Sequence, residues 1–221
     1  MMTFTQLIQL TGQTLIEATI KVTIPLTIIT FIIGVTLGLL TALSRLSHVK
    51  LLHLMAKLYI SIFRGTPLLV QLFIFFYGLP RLGIVLDPLP TAIIGFSLNI
   101  GAYASETIRS SIMAIDKGQW EAALSLGMGY TQMLRRIILP QALRIAVPPL
   151  SNTFISLVKD TSLASLVLVP EMFRRAQEFA ASTNKVLEVY IIAAVIYWVI
   201  CALLTQVQQR LEIRLSRIYQ T

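Results

Sequence analysis

Residues 116–140 read Asp116-Lys117-Gly118-Gln119-Trp120-Glu121-Ala122-Ala123-Leu124-Ser125-Leu126-Gly127-Met128-Gly129-Tyr130-Thr131-Gln132-Met133-Leu134-Arg135-Arg136-Ile137-Ile138-Leu139-Pro140, a polar, basic island in an otherwise apolar chain. Glu121, Ala122 and Ala123 are good helix formers, whereas Gly127 and Pro140 stop helices. The pattern predicts a short helix, a sharp turn at Gly127-Met128-Gly129 and a second short helix over residues 131–139. The paired alanines leave a shallow face that another protein's surface can approach closely. An ordinary connecting loop fits the same residues on propensity alone, so the purpose of the island has to come from its surroundings.

Those surroundings have the composition of a membrane protein. Hydrophobic residues make up 56% of the chain and charged residues 13%, against roughly 25% charged in soluble domains; mean hydropathy is +0.78. At 221 residues a single domain over 1–221 is the natural expectation. A spanning helix needs about 20 mostly apolar residues, and five stretches supply them: 22–43, 58–79, 91–113, 145–167 and 187–207. Between the last two, Glu171, Arg174, Arg175, Glu178 and Lys185 mark a short amphipathic helix outside the membrane, or a loop. The expected fold class is therefore all-α integral membrane with five transmembrane helices.

The net charge of +8 sits in loops between apolar runs, where it sets topology, so nucleic acid is not an expected partner. Arg45, Lys50, Lys57, Arg109, Lys117, Arg135, Arg136, Arg144, Arg210, Arg214 and Arg217 fall on one side of the five spans. Lys21, Arg81, Arg174, Arg175 and Lys185 fall on the other. The richer side is expected to be cytoplasmic, which puts the N-terminus outside, the C-terminus inside and the 116–140 island in the cytoplasm. Cys201 stands alone, and His48 and His53 lie in a basic loop without companions, so no disulfide framework or metal site is expected. Glu17 and Lys21 precede a long span, which is not the form of a cleavable signal peptide.

Ionisable groups at membrane depth mark pathways by default. Asn99, Tyr103 and Glu106 share one helix face by their spacing and suit a water-accessible cavity; Glu106 can meet a ligand's amino group or pair with Arg109. Lys159-Asp160-Thr161-Ser162 places adjacent opposite charges in a span, which predicts a break or unwound stretch of the kind transporters use at substrate sites. There Lys159 suits a carboxylate and Asp160 an ammonium, although a helix end capped by Asp, Thr or Ser is the plain alternative. Arg64-Gly65-Thr66-Pro67 predicts a kink in the second span, with Arg64 either clamping the kink or contacting ligand. The two segments align without gaps: Tyr59–Leu68 against Phe154–Leu163 share Ile, Ser, Thr and Leu at matching places. A parallel internal repeat is expected, with both kinks lining one cavity.

The spacing Glu-Ala-Ala, three residues, Gly, nine residues, Ile-x-Leu-Pro resembles the EAA loop of membrane subunits from ABC importers. Glu121, Ala122, Ala123, Gly127, Ile137, Leu139 and Pro140 fill every fixed position, and Leu126 lies among them. The likeness runs from about Gly12 to Leu215 and includes Arg64–Gln71 and Lys159–Leu163, typical of polar amino acid permeases. It implies the type I importer fold and a coupling helix docked on a cytoplasmic ATPase dimer, which holds the ATP and Mg. It further implies a second permease subunit, an extracytoplasmic solute-binding protein, and a multi-pass place in the bacterial cytoplasmic membrane. No cofactor is expected on this chain, and no catalytic residue. From their polarity within the spans, Arg64, Thr66, Asn99, Tyr103, Glu106, Lys159, Asp160, Thr161 and Ser162 are the expected substrate contacts. Tyr77–Pro80, Leu86–Pro90 and Asp116–Trp120 look most like the cystine-transporting branch.

The implied function is import of a polar L-amino acid by alternating access, driven by ATP on a partner. An ion-coupled transporter or channel is the alternative, since Glu106 and Lys159-Asp160 could carry protons; it would leave the coupling loop without a use. A membrane-embedded enzyme has no zinc signature, phosphate loop or serine–histidine pair to support it.

Overall fold

The computed structural model describes residues 4–217, and among these every regular element is helical. α1 (Phe4–Ala18) passes through a π turn at Thr19–Thr23 into α2 (Ile24–Leu46). Ile8–Leu46 is thus one apolar helix of 39 residues, about 58 Å long against a hydrocarbon core of about 30 Å. The first span, expected at 22–43, therefore begins much earlier than its composition suggested. Gln9, Gln13, Glu17 and Lys21 read as a break in hydrophobicity, yet they are the outer face of an amphipathic helix whose Thr11 and Leu15 are fully buried.

α3 (Lys50–Gly65) and α4 (Leu68–Phe73) are separated by Thr66-Pro67, and α4 runs on through turns at Ile74–Gly78 and Leu79–Leu82. The two halves meet at 103°. The kink expected in this span is thus a full break.

α5 (Pro88–Met113) is the central helix and packs against α2, α3 and α8. Because it is enclosed by protein, it can carry Thr91, Ser97, Asn99, Ser105 and Ser111 in buried positions. Its tightest contact is with α2. A Cβ on Gly34 would lie 2.6 Å from Ile100 Cγ2, and one on Gly38 would lie 2.7 Å from Ala104 Cβ and 3.0 Å from the Ser105 nitrogen. The glycines, four residues apart, let the two backbones touch, as small-residue pairs do in membrane helices.

After α5 comes the polar island: α6 (Lys117–Ser125), then α7 (Tyr130–Met133), a π turn at Leu134–Ile138 and α8 (Leu139–Asp160). The first short helix and the turn at Gly127, whose φ is +72°, agree with the sequence. Pro140 does not end the second helix. The wide turn just before it gives the proline ring room, so the helix continues into the next span.

The break expected at Lys159-Asp160 is also absent. α8 stays helical to Asp160 and tightens into a 3-10 turn over Thr161–Val167. The chain bends only afterwards, where Leu168 takes a φ of +65°, and α9 (Met172–Thr183) leaves at 54°. Adjacent opposite charges are accommodated because consecutive helical residues point about 100° apart. The two aligned segments therefore bend at different places. α10 (Val186–Arg217) closes the chain and runs past the 187–207 expected for it.

Three apolar clusters hold the bundle. One joins α2, α5, α6, α7 and α8 through Ala42, Ile108, Ile112, Ala123, Met133 and Ile138. A second joins α2, α4, α5 and the end of α8 through Leu26, Leu72, Phe96, Leu157 and Val167. The third ties α1 to α9 and α10 through Leu15, Met172, Ala176 and Val189. By length and composition two helices, Ile8–Leu46 and Val186–Arg214, can each cross a membrane, and each of the two bent pairs can do so as a unit.

Candidate functional site

The break at Thr66-Pro67 creates the site. Proline disfavours a helical conformation for the residue before it and supplies no N–H, so Thr66 is extended at φ −124°, ψ 146°. That frees backbone carbonyls inside a bundle where each would be costly to leave unpaired. Gln71, buried one turn into α4, answers them: its Nε2 donates to Phe63 O at 2.9 Å, Thr66 O at 3.1 Å and Thr66 Oγ1 at 2.9 Å. Asn99 Nδ2 on α5 donates to Gln71 Oε1 at 3.1 Å and to Phe63 O at 3.2 Å. The break is a braced structure.

Facing it is one side of α8, where Asn152, Ser156 and Asp160 recur every four residues. Together with Thr66, Pro67, Leu68, Asn99, Tyr103, Thr153 and Leu163 they line an open cavity of about 460 Å³, within the roughly 300–1,000 Å³ of small-molecule sites. Both aligned segments thus line one cavity despite their different bends. Asp160 is the one carboxylate among the lining residues; hydroxyls and amides supply donors and acceptors around it. The cavity can hold an ammonium at Asp160 and a polar body between Asn99 and Asn152.

Four residues chosen from sequence, Thr66, Asn99, Tyr103 and Asp160, meet here, and the other five lie elsewhere. Glu106 turns away to three guanidiniums: its Oε2 is 3.0 Å from Arg109 Nη2 and 4.0 Å from Arg64 Nη1, and its Oε1 pairs with Arg45 Nη1. Arg64 Cζ lies 5.3 Å from the centroid of the Tyr103 ring, so the cluster adjoins the cavity without lining it. Lys159 points to a different side of α8, where it and Ser162 border an open cleft with Phe173, Tyr190, Tyr197, Trp198 and Cys201. Thr161 is fully buried and its hydroxyl donates to Val158 O at 2.6 Å. The pairing of Lys159 with Asp160 in one ligand site is therefore corrected, because a helix that does not unwind must aim the two apart. Leu68, Asn152, Thr153, Ser156 and Gln71 were not singled out as site residues from sequence, and Pro67 was singled out only as the source of the kink. The spacing Asn152, Ser156, Asp160 was the available signal for one wall.

The polar island divides in the same way. Asp116 caps α6, accepting from Gly118 N at 2.7 Å, and Gln141 Nε2 ties α8 to α6 through Gln119 Oε1 at 3.1 Å. Glu121, Ala122, Leu124, Leu126 and Gly127 are exposed, with Leu126 at 79%. Ala123 is buried, and Ile137 and Leu139 pack beside it in the first apolar cluster. Of the eight residues expected on a docking surface, these three are the foundation beneath it. Leu124 is an exposed neighbour that the motif does not contain.

With this geometry in hand, comparison with known proteins is informative. The family described as binding-protein-dependent transport system inner membrane component matches residues 34–217. The L-cystine transport system permease protein TcyB of Bacillus subtilis (strain 168) is 55% identical over 212 residues, covering 96% of this chain and 91% of that protein. The probable amino-acid ABC transporter permease protein YckA of the same organism is 45% identical over 190 residues, 86% of this chain and 84% of its own. Among solved structures, an amino acid ABC transporter crystallised with histidines superposes with a TM-score of 0.87 at 36% identity, over 91% of this chain and 94% of that one. An inward-facing MetNI methionine ABC transporter shares the fold alone, with a TM-score of 0.70 at 18% identity over 90% and 94% of the two chains. A family match over residues 34–217, together with 55% identity to a permease protein over 96% of the chain on this helical fold, means that the chain belongs to the inner-membrane components of binding-protein-dependent transport systems.

Proposed function

We infer that this chain is the permease subunit of an ATP-driven importer that moves a polar L-amino acid, with L-cystine the first substrate to test. The observation that carries the reading is the cavity between the Thr66-Pro67 break and the Asn152–Asp160 face, in a chain 55% identical to an L-cystine permease. Asp160 takes the substrate's ammonium; Thr66, Asn99, Asn152 and Ser156 contact its polar groups. The five spans run with the N-terminus outside and the C-terminus in the cytoplasm, which places α6 on the cytoplasmic face.

There Glu121, Ala122, Leu124, Leu126 and Gly127 dock on a cytoplasmic ATPase dimer that binds ATP and Mg. A second permease copy or close paralogue completes the pathway, and an extracytoplasmic solute-binding protein delivers the amino acid. ATP and ligand bias an equilibrium between two packings of the helices. The ion-coupled alternative is weakened at Glu106, which is shared by three guanidiniums and does not line the cavity.

The test is ATP hydrolysis by the purified permease–ATPase complex with binding protein and one amino acid at a time. Stimulation by L-cystine above glutamine, arginine, histidine and glutamate is the expected result. Stimulation by another amino acid would reassign the substrate, and hydrolysis indifferent to all of them would sink the importer reading.

A further inference from the structure

The ion cluster beside the cavity holds more positive charge than its one carboxylate balances. Arg45, Arg64 and Arg109 all lie within 4.0 Å of Glu106, with side chains only 20%, 42% and 26% exposed. Arginine cannot shed its proton, so among the described residues the part-buried cluster carries two more positive charges than its carboxylate balances. A second observation points the same way: Nε of Arg45 is buried and has no acceptor among the described residues. A buried donor without an acceptor, next to surplus positive charge, is the environment of an anion site.

Arg64 is the least committed member. It has the longest contact with Glu106 and the most exposed side chain, and it lies over Tyr103, which lines the cavity. Along α5, Asn99, Tyr103, Glu106 and Arg109 follow turn by turn toward the end that carries α6. From Asn99 to Glu106 the rise is about 10 Å.

We propose that Arg45, Arg64 and Arg109 form a second station on the route, between the cavity and the α6 end, that binds the α-carboxylate of the transported amino acid. The carboxylate replaces Glu106 as the partner of Arg64 and gives the buried Arg45 Nε an acceptor. Glu106 is the resident competitor: it satisfies the arginines when no substrate is present and keeps the station weak enough to release. Passage needs sites of that kind, favourable to occupy and easy to leave. The proposal rests on the permease reading above but not on the identity of the amino acid.

The permease–ATPase complex in nanodiscs is titrated with trifluoroacetate, a simple carboxylate probe, and its 19F line width is followed. Saturable broadening that the transported amino acid reverses is expected. Binding should be about tenfold weaker in Arg64→Gln and Arg109→Gln, since each removes one charge-assisted contact. It should be largely kept in Arg64→Lys and tighter than wild type in Glu106→Gln. In transport assays Glu106→Gln should lower KM and the maximal rate together, a split that a merely structural salt bridge would not produce.

No saturable binding, equal binding in Arg64→Gln and Glu106→Gln, or a signal that chloride reverses and the amino acid does not, would each overturn the station. Reversal by the amino acid in the wild-type complex decides the matter even where a variant fails to assemble. If L-cystine is not transported but another amino acid reverses the broadening, the substrate reading falls and the station stands.

Discussion

At the scale of single residues, the polar groups inside this bundle sort by whether the fold has already used them. Gln71 and the Nδ2 of Asn99 are committed to bracing the break, since they satisfy Phe63 O and Thr66 O, and Asn99 still lines the cavity. Gln71→Leu should therefore cost about 1–3 kcal/mol through unpaired carbonyls, read as a lower melting temperature of the purified complex. Asp160 has no such structural bond among the described residues and faces the cavity. Asp160→Asn should leave the melting temperature near wild type and weaken substrate-stimulated ATP hydrolysis about tenfold, the loss of one charge-assisted contact. Unchanged half-maximal substrate concentration would remove Asp160 from the site. Asn99, Tyr103 and Asp160 were legible in sequence because their polarity is anomalous in a span. The Arg45–Glu106 contact was not, because it joins residues 61 positions apart and no periodicity connects them.

At the scale of elements, α2 and α5 are bound by backbone proximity and α6 is divided between an exposed and a buried face. Gly38→Leu would drive a side chain into Ala104 and the Ser105 backbone and should destabilise the bundle by about 1–3 kcal/mol, measured by thermal unfolding in detergent. Stability equal to wild type would mean that the crossing relaxes. In α6 and the turn that follows it, Ala123 is buried and Leu126 exposed, so their substitutions should separate two functions. Leu126→Glu should insert and fold normally yet lose ATPase binding in a pull-down, whereas Ala123→Leu should lower folded yield. Equal ATPase capture by Leu126→Glu and wild type would dismiss α6 as the docking element. The 116–140 pattern predicted α6 and its Gly127 turn. It misread Pro140, because a proline stops a helix only where the preceding turn cannot widen.

At the scale of the whole molecule, the bundle is a set of long helices in which the break at Thr66-Pro67 and the last turns of α8 line one cavity, while large apolar side chains remain exposed along α2, α3 and α10. The proposed orientation puts the loop after α4 outside and α6 inside. In a Cys201→Ala background, Val85→Cys should react with a membrane-impermeant maleimide in intact cells, and Leu126→Cys only in inverted vesicles. Both positions are more than three-quarters exposed, so the reverse pattern would invert the topology. By itself the sequence determined the membrane class, the polar island and the positions of anomalous polarity, because these depend on local composition and spacing. Only the tertiary structure decided that the helix from Ile8 runs unbroken to Leu46, that Lys159 and Asp160 serve different sides of α8, and that Glu106 belongs to three arginines. Those outcomes depend on which helices enclose a residue, and polarity at one position is satisfied by partners that chain proximity does not reveal.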